Sequence, residues 1–439
     1  GIGIQFFDDS GKTSLVCADN LVPGKVKDLL KSGKKLLDLS SSTPESARQL
    51  LDSLPPLKVN ALNTEDIYPP KDVLSPEAIA DLTQINKQLR ISEELEVKTQ
   101  LEYRVDTWYV ARTDGTRVYF TVPTALGYNN IKLRRASSSG VLSFTSGGQP
   151  FTVSRNKGID HFVKRGLRAT TLAARLRDAS HLPVGDYKVV LDYSMAAAIA
   201  HEAFGHAAEA DNRRSVLFRD GRYCKSMRVG PPFLRIVDES IPDDYGFQPF
   251  SSNGTERKKV TIVEGGIVRA GLSDPFSAAR CGMEYTGSER VASYGNIPIP
   301  RMSNIRLEVD GSPTMNLDYE DLSPEELYEV LRSHGLCTSD ERVILLTGHV
   351  GGQANPATGD FVFRCQAVFD LTDRGKLYLP SSLSGNTLSI LHSIEGAVGP
   401  VRLDAQTSCF KRGQSVHCSG GSNRFVVVAR NKQIVVGGK

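Results

Sequence analysis

Residues 195–210, MAAAIAHEAFGHAAEA, leave this chain few options. Alanine with methionine, isoleucine and phenylalanine makes a helix that is apolar on nearly every side, and such a helix must be enclosed by the rest of the protein. It follows directly on a short β-branched strand over 187–191, so Asp192 or Ser194 is its N-cap. Yet it carries His201, Glu202 and His206, polar groups that are costly in a packed interior unless something there needs them. Two imidazoles flanking a carboxylate are the parts of a metal-activated water: nitrogen ligands for a borderline metal and a base for the water's proton.

The spacing is awkward for that purpose. Residues five apart in a straight helix lie about 140° round the axis and roughly 7.5 Å along it, so His201 and His206 diverge where histidines four apart would share a face. They converge only if the helix widens to a π-type turn or frays, and Gly205 is a plausible place for either. The expectation is a helical irregularity between Ala203 and Ala207. The plainer reading puts the histidines on opposite sides of an alanine helix, with Glu202 pairing four residues on with His206. A catalytic zinc also needs a third protein ligand. His334, His349, His392, His417, Cys409 and Cys418 are all candidates, and Cys409 lies beside Lys411 and Arg412, cations that favour a thiolate.

A chain of 439 residues and 47.9 kDa exceeds what one core usually supports, so two parts are expected, 1–180 and 181–439, divided where HLPVG interrupts helix before a new strand. Basic and acidic residues nearly balance, 53 against 50, which gives no footprint for nucleic acid. No apolar run reaches the about 18 residues of a membrane span, and no signal peptide is apparent, so a cytoplasmic protein is expected. Seven cysteines, odd in number and never spaced C-x-x-C, argue against a disulfide framework.

Before the boundary, 1–20 read as a hairpin turning at Asp8 to Gly11. Helices follow over 26–37, from Thr43 through Leu54, and from a Ser75 N-cap through Leu89. From Leu95 the period becomes two: 97–110 alternate, Thr113-Asp114-Gly115 turn, 117–122 answer, further strands lie within 131–144, and a helix over 157–179 closes the section. After the boundary, strands are expected at 234–238, 259–263, 267–272, 305–309, 343–347, 361–371, 377–379, 387–392 and 424–429, with helices at 275–281 and from Ser323 to His334. The fold class is α+β: helices on an antiparallel sheet, then a mostly β part, a barrel-like or strongly curved sheet, carrying the metal-site helix.

Several segments carry a resemblance to a known family. PVGDY (183–187), HEAFGHAAEAD (201–211), GIVRAGLSDPFSAARCGMEYTG (266–287), PIPRMSN (298–304), GGQANPATGDFVF (351–363), SGNTLSIL (384–391) and CFKRGQSV (409–416) resemble, in order, motifs of the TldD/PmbA metalloproteases, on the TldD side. The likeness covers most of 181–439 and only the general course of what precedes it.

The resemblance implies a zinc peptidase in which His201, His206 and Cys409 hold Zn2+ and Glu202 is the general base. Phe410 stands where the family usually has glycine, which puts the local backbone in question. Arg301, Asn304 and Gln353 are further candidates for contact with substrate or metal site, with structural roles as their alternative. Extended or unfolded polypeptides are the expected substrates, bound by strand addition. A homodimer, or a heterodimer with a PmbA/TldE-like subunit, is the expected assembly, with neither nucleic acid nor membrane as partner. Two other readings remain: a non-catalytic peptide-binding or modulator subunit, related to gyrase or toxin regulation, and a purely structural metal with four protein ligands.

Overall fold

Alternation of apolar and polar residues has one physical solution in water, a strand with one face covered. In the computed structural model, which describes residues 1–8, 12–20, 22–40, 49–50, 52–60, 76–134, 140–147, 157–314 and 322–438, the alternating section forms a long hairpin. Its strands are Leu95–Ala111 and Arg117–Leu133, paired without a register shift from Leu95 opposite Leu133 to Ala111 opposite Arg117. Val141–Gly147 pairs antiparallel with the second strand. Lys58–Asn60 joins its N-terminal end in parallel, so the sheet is mixed at that edge rather than wholly antiparallel. The chain reaches that edge from outside the hairpin, where the Arg117 amide donates to the Leu57 carbonyl at 2.8 Å.

Helices Pro76–Leu89 and Lys157–Arg175 cover one face of this sheet, burying Leu89 and Phe162 against Leu95, Val97 and Ile131. Ahead of them are the hairpin Ile2–Phe7 with Thr13–Ala18 and the helix Pro23–Leu39. The tip of the first hairpin at Asp9 to Gly11, the cap and start of the helix expected from Thr43, and the Ser75 cap lie outside the described residues.

The C-terminal part is organised on one mixed sheet. In spatial order its strands are Ile267–Val268, Val260–Glu264, Leu234–Glu239, Asn304–Val309, Gln414–Val428, Lys188–Asp192, Val343–Ala354, Asp360–Asp370, Ser382–Asn386 and Val435–Gly437. Lys376–Tyr378 is added on Asp360–Asp370, and Ile394–Lys411 on Gln414–Val428. The barrel-like closure expected from the sequence does not occur. The terminal strands are short and do not pair with each other, and parallel joins such as Val343–Ala354 on Lys188–Asp192 fix an open order. A barrel would fill its interior with strand side chains, whereas this sheet packs an alanine-rich helix against its central strands.

Thr387–His392 is a helix, not the expected strand: the Asn386 side chain caps it by accepting from the Leu388 amide, and the buried residues Thr387, Ile390 and Leu391 have helical spacing. The long strand Ile394–Lys411 was hidden in the sequence by Gly396, Gly399 and Pro400, which the pairing absorbs through register shifts. Across the two parts, Arg165 bonds Asp404 at 2.8 Å.

Candidate metal centre

The strand Lys188–Asp192 is buried along its whole length, and its last residue starts the central helix. One carboxylate oxygen of Asp192 accepts from the Met195 amide at 2.8 Å, and the other accepts from the Gly348 amide at 2.8 Å. The cap therefore ties the helix to the neighbouring strand as well as starting it. The helix runs as α from Tyr193 to Ala198, widens to a π-turn over Ile199–Gly205, and resumes over His206–Ala208. The His206 amide donates to the His201 carbonyl, five residues back. This is the irregularity the spacing required, placed a little earlier than expected. Gly205 contributes by its size: its φ of −58° is ordinary for any residue, but a Cβ there would lie 2.2 Å from Met302 Sδ and 2.9 Å from the Ala200 carbonyl.

The widened turn brings the imidazoles together, with ring centroids 5.3 Å apart and planes at 86°. Cys409, from the far strand of the last long hairpin, joins them. Ligand atoms of His201, His206 and Cys409 all lie within 4.8 Å of one another, with Cys409 Sγ 3.4 Å from His206 Nε2. Glu202 stands on the open side, its side chain 35% exposed and its carboxylate 3.9 Å from His201 Nε2 and 3.8 Å from His206 Nε2.

The protonation pattern suits a metal. Burial alone would push His206 down, but the Glu209 carboxylate, 2.8 Å from Nδ1, and the Cys409 thiol hold it well above its usual value. The neighbouring Cys418 thiol brings Cys409 well below the usual thiol range against the effect of burial, with His201 and His206 adding to it. Two imidazoles and a thiolate with one open side are a donor set for zinc, and Glu209 on Nδ1 is the carboxylate support that metal-binding histidines commonly have. Lys411 does not act on the sulfur as its sequence position suggested; its Nζ bonds Glu209 at 2.9 Å and Asp211 at 2.6 Å. Glu209 was missed in the sequence, although its place three residues after His206 was the available signal.

The remaining candidates separate cleanly. His334 and His392 are exposed. His417 lies beneath Tyr245, ring centroids 4.6 Å apart, opposite Ser408 in a register that turns it away from Cys409. Cys418 is beside the site but bonds the Met302 carbonyl at 3.1 Å. Arg301 is fully buried and donates to the Cys409 and Gln414 carbonyls, so it holds the ligand's hairpin. Asn304 is buried against Ser419 at 3.0 Å, and Gln353 is exposed on its strand. Phe410 needs no glycine conformation, since it pairs with Ser415 in the strand while Arg412 and Gly413, at φ 49° and 76°, make the turn.

Residues 184–418 match the family model of the PmbA/TldA metallopeptidase C-terminal domain. A metalloprotease of Methanocaldococcus jannaschii is 30% identical over 323 residues, covering 72% of this chain and 65% of that protein. A Saccharolobus solfataricus protein described as a zinc metalloprotease TldD homolog is 28% identical, covering 58% of this chain and 52% of its own. The match spans 65%, 57% and 55% of the length of three curated archaeal relatives. Among solved structures, a putative modulator of a DNA gyrase from Thermotoga maritima superposes at a TM-score of 0.71 and 18% identity, over 99% of this chain and 88% of that one. TldE from Thermococcus kodakarensis does so at 0.68 and 14%, over 98% and 88%. At those identities the likeness is one of fold.

Proposed function

The chain belongs to the PmbA/TldD metallopeptidase family, and from that premise we propose that it is a zinc-dependent peptidase with His201, His206 and Cys409 as ligands and Glu202 as general base. The observation that carries this reading is the convergence of those three ligand atoms across a π-turn, with a carboxylate on the open side. When bound, the ion would supply Lewis acidity to a water and to the scissile carbonyl. Glu202 takes the water's proton and returns it to the departing amine. Glu209 and Lys411 keep the His206 ring oriented, and Arg301 keeps the Cys409 strand in place.

Extended polypeptides are the substrates this reading favours, and assembly as a homodimer or with a TldE-like subunit accords with the family. The seven free cysteines accord with a reducing, cytoplasmic setting. No helix among the described residues is long and apolar enough to cross a membrane. We keep the division into 1–180 and 181–439, across which buried apolar side chains pack, Ala367 against the cluster of Leu89 and Phe162 and Phe250 against Phe120.

The test pairs metal analysis with kinetics. About one zinc per chain is expected, lost in Cys409→Ala, and Glu202→Gln should retain zinc while losing about 10²–10⁴-fold in peptide cleavage. Unchanged cleavage in Glu202→Gln would refute the chemistry and leave the modulator reading, while a fourth protein ligand on the ion would make it structural.

A further inference from the structure

The hairpin that delivers Cys409 aims a second group at the metal-bearing helix. Residues two apart in a strand share a face, so Lys411 lies on the face of Cys409, while Phe410, 71% exposed, is on the other. The Lys411 side chain is largely buried, and its Nζ meets three acceptors: Glu209 Oε2 at 2.9 Å, Asp211 Oδ1 at 2.6 Å and the Pro300 carbonyl at 3.3 Å. An ammonium has three protons, and here each has a partner. Arg412, the next cation, is 61% exposed and reaches Asp211 at 3.4 Å.

On the helix side, the backbone becomes extended at Glu209, with φ −72° and ψ 118°. Two bonds hold it there: the Leu272 amide donates to the Ala208 carbonyl at 2.9 Å, and the Ala210 amide to the Leu272 carbonyl at 2.8 Å. The Glu209 side chain is fully buried, and both its bonds fall on one oxygen. His206 Nδ1 is 2.8 Å and Lys411 Nζ 2.9 Å from Oε2, whereas Oε1 has no partner among the described residues. Ring and cation therefore fix the rotation of the carboxylate together. Without the cation a buried carboxylate is costly to keep in place, and a single bond to a ring leaves it free to turn.

We propose that Lys411 is a positioning residue that couples the two ligand-bearing elements: through Glu209 it locks His206 with Nε2 toward the ion, while its own strand seats Cys409, and Asp211 anchors it. This rests on the reading of His201, His206 and Cys409 as zinc ligands. A carboxylate only accepts, so Glu209 holds the ring proton on Nδ1 and leaves the lone pair on Nε2. A hairpin shifted from its seat would lose the thiolate and loosen the imidazole in one movement. Lys411 touches neither the ion nor the substrate; its influence on the metal passes through Glu209.

The test reads zinc affinity, by competition with a chelator of known affinity, and so does not depend on cleavage. Wild type is compared with Lys411→Met, Glu209→Gln, the double variant, Asp211→Asn and Arg412→Met. Supporting partners of metal ligands are worth about 10- to 100-fold in affinity, so Lys411→Met and Glu209→Gln should each weaken zinc by about that factor. The double variant should lose no more than about threefold beyond the worse single, because both act through one contact. Asp211→Asn should lose less than Lys411→Met, and Arg412→Met should stay within about twofold of wild type. Wild-type affinity in Lys411→Met, losses that multiply in the double variant, or an equal loss in Arg412→Met overturns the assignment. If the melting curve of zinc-free Lys411→Met shows no folded protein, Asp211→Asn against Arg412→Met decides, and equal affinities in that pair overturn it. Tight zinc in every variant alike refutes this inference alone, whereas a wild type that binds no zinc refutes the ligand reading and this with it.

Discussion

Two long hairpins, built alike in length, differ in regularity. Leu95–Ala111 with Arg117–Leu133 keeps one register throughout, while Ile394–Lys411 with Gln414–Val428 shifts at three places, between Ile394 and Gly396, Val398 and Val401, and Ala405 and Ser408. The last shift places two residues of one strand, 406 and 407, against one of the other, Cys418, since Ala405 faces Ser419 and Ser408 faces His417. Side chains alternate with period two, so one extra residue exchanges the faces of everything after it. Cys409, rather than Ser408, thereby shares a face with Val416 and meets the histidines. The regular hairpin has its register set by burial alone; the irregular one spends regularity on aiming a ligand.

If that division is real, damage to the regular hairpin should cost stability without touching the metal. Phe120 is fully buried between Trp108 and Phe250, at centroid distances of 6.4 and 5.5 Å. Phe120→Ala should lower the unfolding free energy by about 3–5 kcal/mol, read by urea titration, with zinc stoichiometry unchanged at low denaturant. Parallel loss of zinc would show that the two hairpins form one cooperative unit and would break the comparison.

The surroundings of the irregular hairpin also hold a buried carboxyl under stress. Arg290 braces this hairpin by donating to the His417 carbonyl at 2.7 Å, and its neighbour Glu289 is fully buried. Glu289 Oε1 accepts from Tyr285 at 2.8 Å and Oε2 has no partner among the described residues. Burial pushes its pKa up to about 7, with the Ser251 and Tyr285 hydrogen bonds opposing. The folded state therefore binds a proton more tightly than the unfolded one, so this contribution is whole below the unfolded value of 4.5 and is lost as pH rises to about 7. The loss is on the order of 3 kcal/mol. Glu289→Gln should remove that part of the pH dependence and be the more stable form at pH 8, by about the same amount; equal slopes in both proteins would remove Glu289 from the argument.

The same contrast explains what was legible in the sequence. The alternation from Leu95, the Ser323 cap with Pro324, and the apolar run over 195–210 are local signals, and each gave the element found. A helical irregularity, either a π-type turn or a fray, was expected because two histidines five apart in a straight helix diverge, and the structure has the π-turn. Cys409 was one of six candidates until family resemblance singled it out, since neither spacing nor period reveals a bulge some 200 positions away that turns it inward. Ile394–Lys411 was missed because its Gly and Pro residues suit shifts of register, and Thr387–His392 was misread because six residues are too few to separate a period of two from one of 3.6. His349, also among those six candidates, is not one of the residues whose ligand atoms cluster.

The regular hairpin should show a pH effect of opposite sign and smaller size. Asp114, in its turn, accepts from the Thr116 amide at 2.8 Å through Oδ1 and from Arg112 Nε at 3.0 Å through Oδ2. Burial is the largest single influence and raises its pKa, but the Arg112 and Thr116 bonds together outweigh it and bring the carboxyl down to about 2. Its contribution is therefore present above the unfolded value of 3.8 and lost as pH falls toward 2. Because the pair sits near solvent, screening keeps the contribution below about 1 kcal/mol. Asp114→Asn retains an acceptor for the Thr116 amide and loses only the charge, so it should cost well under about 1 kcal/mol at pH 7 and nothing near pH 2. Arg112 also reaches across to the Asn253 carbonyl at 3.3 Å, which lets the turn report on the contact between the two parts of the chain. If Asp114→Asn destabilised by several kcal/mol, the turn would be serving as an anchor between those parts, and the hairpin's register would no longer be set by burial alone.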